Sequence, residues 1–154
     1  MKKIEIKLKQ DAIAPLLDFI KPFADRLKEA PDIDPQLPDD VDPEMSESWI
    51  RDLEEHLARD SGTLMSIFDQ RFMEEGTIEI TPENADPVLR ASAAIRLRLR
   101  RDHLNGLPDE ALEKGELDFE KLSPETRRGY ACYLFLAGIQ EVVIDHLDII
   151  HGTG

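Results

Sequence analysis

Residues 81–101 read TPENADPVLRASAAIRLRLRR, and the fold turns on how this stretch packs. Thr81, Pro82 and Glu83 spell a helix start: a capping hydroxyl, a proline at the first helical position, then an acid in the first turn. Pro87 would fall late in that turn, so Asp86 is the alternative start. Helical spacing then runs to about Leu104, where Asn105-Gly106 and Pro108 stop it. At about 100° per residue the apolar positions divide into two stripes. One holds Val88, Ile95 and Leu99; the other holds Leu89, Ala93, Leu97 and Leu104. Two apolar stripes predict two neighbours, and therefore a helix central to a bundle.

The same helix concentrates Arg90, Arg96, Arg98, Arg100 and Arg101, five of the eleven arginines in a chain of net charge −14. The chain as a whole repels polyanions, so these cations either bind its own carboxylates or show a local patch to an acidic partner. Arg96 and Arg100, four residues apart beside the second stripe, are expected to form structural ion pairs with a neighbouring helix. A planar guanidinium holds a carboxylate with two hydrogen bonds, and Glu141 is the favoured carboxylate. Arg90, Arg98 and Arg101 lie on the remaining face, expected to meet solvent. There they either stay solvated near the acidic loop or form the partner-binding site.

Working outward, Ile4, Ile6 and Leu8 alternate with charged residues as a half-buried strand, and Thr77–Ile80 is a second short one. Neither is stable alone, so the two are expected to pair. Leu16, Ile20, Phe23 and Leu27 place a helix over residues 12–27, kinked or split at Pro22. Residues 30–43 hold Pro31, Pro35, Pro38 and Pro43 among aspartates and read as an extended acidic loop. A helix follows from Ser46 through Trp49, Leu53 and Leu57, with a break expected around Asp60-Ser61-Gly62. It resumes through Leu64, Ile67, Phe68 and Phe72 and ends at Gly76. A polar connection over 108–122 leaves room for one short helical turn. Ser123-Pro124-Glu125 then opens a last helix reaching Ile150.

Tyr130–Ile139 of that last helix is apolar all round, which predicts burial on every side. Gly138 costs a helix about 1 kcal/mol against alanine, so another backbone is expected to pass close to it. Cys132, inside the run, is expected to be an inert buried thiol. Together these elements predict one domain over residues 1–154. Its class is mainly α: a compact helical bundle of four or five helices with a small two-stranded β element.

A lone cysteine forms no intramolecular disulfide, which excludes a disulfide-stapled secreted domain. Lys2, Lys3 and Glu5 put charge where a signal peptide needs an apolar run. The ten residues of Tyr130–Ile139 are about half a membrane span. A cytoplasmic protein is expected.

The search for chemistry returns little. His146 and His151, near Asp145 and Asp148, are five residues apart and point from different helical faces, whereas a helical zinc pair needs a spacing of four. His56 and His103 stand alone in charged surroundings. The glycines are scattered, so no phosphate loop forms, and no serine sits in a nucleophile elbow. Asp39, Asp40 and Asp42 lack the glycine and distal glutamate of a calcium loop. No catalytic residue, metal site or cofactor is expected.

The order of these elements resembles a bacterial family of small helical proteins still called a domain of unknown function. That family is best known from actinobacteria, where its genes often lie beside the Clp-protease adaptor and a metallopeptidase gene. The similar pieces are the helix of residues 12–27, Ile80-Thr81-Pro82-Glu83, Leu89-Arg90-Ala91 with Ile95-Arg96-Leu97, and Leu136-Ala137-Gly138-Ile139-Gln140-Glu141 with Leu147. The chain departs from the pattern at Ala93-Ala94, where a polar pair is usual, and at Arg100, where glycine is usual. The resemblance implies a cytoplasmic, mostly helical protein with a regulatory role, and Arg96 and Glu141 as matching residues.

The expected function is a non-enzymatic regulatory or adaptor protein that binds another macromolecule, a protein with an acidic surface above all. A DNA-associated transcription regulator, dimerising to join two arginine helices into one basic surface, is the alternative. A metal-dependent enzyme using the acids and histidines near Asp145 is the third reading. Self-association as a homodimer is open, and a membrane partner is not expected.

Overall fold

The structure, a computed structural model, describes residues 3–29, 42–114 and 118–151. In chain order come β1 (Ile4–Lys7), α1 (Gln10–Glu29), α2 (Pro43–Ser66), α3 (Gln70–Glu75), β2 (Thr77–Ile80) and α4 (Ala85–Asp102). Then follow α5 (Asp109–Lys114), a 3-10 turn (Phe119–Lys121), α6 (Pro124–Asp145) and α7 (Leu147–His151). The architecture is mainly α with a small two-stranded antiparallel sheet. Most of the expected acidic loop, residues 30–41, lies outside the described residues.

The strands pair as alternation predicts, with Ile4 opposite Ile80 and Ile6 opposite Ile78 on the inner face. On the outer face the same register sets Glu5 against Glu79, a repulsive like-charge pair. Arg71 of α3 offsets it, reaching Glu5 at 3.1 Å, Glu79 at 3.3 Å and Glu75 at 3.1 Å. Its hydrogen bonds to Glu75 and Glu5 push the guanidinium pKa up from its ordinary value. Gly76 joins α3 to β2 in the left-handed conformation, φ 71°, and its N–H closes the helix by donating to the Phe72 carbonyl at 2.8 Å.

α1 is one helix of 20 residues, neither split nor ended at Pro22. Pro15 and Pro22 both lie on its exposed side, where water can serve the backbone groups they leave unbonded. Leu17, Ile20, Phe23 and Ala24 on the opposite side are buried and hold the helix together across them. α2 likewise departs from expectation. It begins at Pro43, with Glu44 N–H donating to the capping Asp42 carboxylate at 3.0 Å, and passes unbroken through Asp60-Ser61-Gly62. Asp60 and Ser61 act as core polar groups rather than turn formers: the Ser61 hydroxyl donates to the Ala24 carbonyl of α1 at 2.8 Å. The break falls instead at Ile67–Asp69, and Asp69 caps α3 through the Phe72 N–H at 3.1 Å. Trp49, assigned to the apolar pattern of α2, is exposed.

Thr81 and Asn84 cap each other ahead of α4, the Thr81 N–H donating to Asn84 Oδ1 at 2.8 Å and the Asn84 N–H to Thr81 Oγ1 at 3.2 Å. Pro82 and Glu83 form a turn, and the helix starts at Ala85, close to the Asp86 alternative. α6 opens at Pro124 behind a Ser123 cap and ends at Asp145, so the expected single helix to Ile150 is two, α6 and α7. The side chains buried by α1, α2, α3, β2, α4 and α6 form one hydrophobic cluster, and Ile4 and Ile6 of β1 pack against it.

α4 packs on α2 and α6, as a central helix should. It does so with one broad face, however: Ala85, Val88, Ala91, Ser92, Ile95, Arg98 and Leu99 are buried, whereas Ala93 and Leu97 of the second stripe are exposed. The two neighbours share a face instead of taking opposite ones; of the second stripe, Leu104 joins the core and Leu89 packs against it, while Ala93 and Leu97 are left to solvent.

An alanine at position 76 would sit in a left-handed conformation with its Cβ 2.5 Å from the Leu8 carbonyl oxygen. Gly76→Ala is expected to lower unfolding stability by about 1–3 kcal/mol, read from urea denaturation midpoints.

Candidate functional site

The five arginines of α4 meet five different fates. Arg90 grips Asp60 of α2 with two hydrogen bonds, Nε to Oδ2 at 2.8 Å and Nη2 to Oδ1 at 3.1 Å. Asp60 is 5% exposed and Arg90 is 54% exposed, so the carboxylate is the buried partner and the guanidinium its lid. The bond to Asp60 pushes the Arg90 pKa up, against a smaller opposing cost of burial. Arg98 is buried at 9% exposure, which corrects its placement on the solvent face. Its helical position lies at the edge of the Val88–Leu99 face, where the aliphatic stem packs inward. Arg101 is exposed and reaches its neighbour Asp102 at 3.1 Å. The trio expected to act together as a partner-binding face is therefore dispersed.

Arg96 and Arg100 project the other way, toward α6. The expected carboxylate partner is not used: Arg96 Nη1 donates to Gln140 Oε1 at 2.7 Å, one residue before Glu141. Gln140 in turn donates to the Leu89 carbonyl at 3.2 Å, which ties its amide to α4. Glu141 is exposed and takes part in no ion pair among the described residues. The Arg96 guanidinium lies 4.3 Å from the centroid of the buried Tyr133 ring, a cation–π stack that fixes its plane. Its Nε is buried without a hydrogen-bond partner.

This stacked pair floors a groove between α4 and α6. Toward α4 the groove is lined by Ala93, Leu97 and Arg100 with a volume of about 240 Å³. Along α6 it continues past Leu112, Leu134, Ala137, Glu141 and Ile144 with a further volume of about 380 Å³. Leu97 is 67% exposed and Ile144 55% exposed at its rims. Large apolar side chains held open on helices, beside an oriented guanidinium, suit apolar contact with one directed polar bond.

Elsewhere, His103, His146 and Cys132 are each packed or bonded within the fold. His103 is not isolated: it packs against Phe19 and Phe23, with ring centroids at 5.2 and 5.5 Å, and its Nδ1 lies 3.2 Å from Glu125. Gly129 makes that packing possible, since a Cβ there would lie 2.9 Å from the His103 Cβ. His146 Nδ1 lies 2.8 Å from the Val142 carbonyl oxygen of its own helix. Among the described residues no group of three or more His, Cys, Asp and Glu side chains could hold a metal ion. Cys132 is fully buried against the Leu16 carbonyl at 3.7 Å, and burial pushes its thiol up to about 12, against a lesser lowering by Arg128.

Comparison of the chain with protein-family models, curated proteins and solved structures finds no match. Among the described residues no helix is long and apolar enough to cross a membrane.

Sequence reasoning missed two features of this region. Asp60 was read as a helix breaker, and only its long-range partner, thirty residues away, marks it as a clamp. Leu97 was assigned to packing, and its periodicity carries no sign of which neighbour is absent.

Two outcomes follow. Arg90→Ala strands the buried Asp60 carboxylate and should cost about 2 kcal/mol in urea unfolding, a value discounted for the exposure of the arginine. Cys132 should resist alkylation by iodoacetamide at pH 8 in the folded protein and react once the protein is unfolded, as followed by mass spectrometry.

Proposed function

We propose that this protein is a non-enzymatic adaptor or regulator, and that the groove between α4 and α6 is its binding site for an acidic amphipathic segment of another protein. The observation that carries the reading is Leu97, exposed at 67% on a helix that otherwise buries its large apolar residues. It stands between Arg96 and Arg100 on a groove floored by the Arg96–Tyr133 stack. An apolar segment laid there would cover Leu97 and Ile144, and a carboxylate on it would find the cationic side of the groove. Local positive charge in a chain of net charge −14 also favours a partner that docks at close range rather than one steered from afar.

A nucleic-acid reading draws less support. Arg90 is engaged by Asp60 and Arg98 is buried, so the basic face that this alternative needs is not assembled on one monomer. The motif-level likeness to the actinobacterial family, with Arg96 and Glu141 as its matching residues, is in keeping with a regulatory role.

The test is affinity capture from lysate after nuclease treatment, followed by titration of the purified captured protein. Leu97→Asp and Ile144→Asp both alter exposed positions, so each variant should keep its fold. Each is expected to weaken binding by about tenfold or more. A partner bound equally by wild type and both variants would remove the groove from the reading. Capture that disappears with nuclease would favour nucleic acid.

A further inference from the structure

Beside that groove on α6, and meeting it at Leu134 and Glu141, a second surface is open. Arg127, Ala131, Leu134, Gly138, Glu141 and Asp145 follow one another at alternating spacings of four and three residues. Such positions share one face, and the pattern is that of a two-helix seam. Its middle is apolar and uncovered, with Leu134 39% exposed and Gly138 exposed. The sequence led us to expect a backbone packed near Gly138; among the described residues, a Cβ built there meets nothing within 4 Å. Beside Gly138 lies an apolar trough of about 260 Å³, walled by Ile6, Leu8 and Val142.

The strip is complementary to itself. Its N-terminal end carries Arg127, whose guanidinium donates to the Phe119, Glu120 and Leu122 carbonyls and keeps its charge, with Arg128 alongside; its C-terminal end carries Glu141 and Asp145. A parallel copy would set like charges together, whereas an antiparallel copy sets each basic end against the other's acidic end. A twofold axis between positions 134 and 138 then places Arg127 opposite Asp145, Ala131 opposite Glu141, and Leu134 opposite Gly138. Each leucine becomes a knob, and each glycine with its adjoining trough becomes the hole that receives it. Such reciprocal contact is what a twofold interface requires. We propose that the outer face of α6 binds a second copy of this chain, antiparallel, with each Leu134 seated over the other's Gly138. The apolar character of α6 on all sides, which a single chain leaves partly exposed, is satisfied in the pair.

This interface meets the α4–α6 groove at Leu134 and Glu141, but its test reads self-association of the purified chain and needs no other partner. Sedimentation of the full-length protein over a dilution series should show a reversible dimer of twice 17.5 kDa. Leu134→Asp removes the knob, and Gly138→Leu fills the hole. Gly138→Leu adds a side chain in open space and a better helix former, so its monomer should be well folded. Each substitution should raise the dimer dissociation constant at least about a hundredfold with helical circular dichroism unchanged. A wild-type chain that stays monomeric throughout the series overturns the proposal. A dimer that survives Gly138→Leu overturns it as well.

Discussion

The burial of one broad face of α4 against both α2 and α6 is the constraint on which the rest of the structure depends. Val88, Ile95 and Leu99 have no exposure, and the two helices that cover them are drawn to the same side. A helix turns about 100° per residue, so once that face is inward every other position on α4 is assigned. Leu97 must point out, Arg98 must lie at the buried margin, Arg90 must reach α2, and Arg96 must reach α6. Five chemically identical side chains thus acquire different roles from their angles about a single axis. Two of them, Arg90 and Arg96, become cross-links between α4 and its two neighbours.

The cross-links differ in kind for a physical reason. Asp60 is almost fully buried, and a buried carboxylate needs a charged, two-pronged donor to offset its lost hydration. Arg96 faces a neutral amide and an aromatic ring, which orient the guanidinium without neutralising its charge. The first contact is therefore a structural clamp. The second leaves a cation in place beside an apolar groove, which is why the binding reading attaches to α4 and α6 and not to the α2 side.

α6 shows a related tension. Its inner residues, Tyr130, Leu136 and Val143 among them, belong to the core, yet its outer strip is apolar too, with Leu134 and Gly138 open. A soluble helix with apolar residues on all sides is expected to be covered on all sides. The single chain covers it on the α4 and α1 sides, and Leu134 and Gly138 stay open on the side where a second copy is proposed to bind. Much of this chain's functional potential therefore lies in apolar surface that the monomer does not bury.

Local features of this protein were determined by its sequence: the paired strands from their period of two, the cap at Ser123, the stop at Gly76, the burial of Cys132, and the long helices themselves. Those signals act within a few residues and do not need the rest of the chain. Tertiary structure alone decided that Asp60-Ser61-Gly62 stays helical, that Pro22 does not split α1, that Gln140 and not Glu141 meets Arg96, and that Leu97 stays exposed. In each case a local preference of about 1–3 kcal/mol competes with contacts from elements distant in sequence. Periodicity tells which residues share a face, but the identity of the neighbour on that face is a property of the assembled bundle.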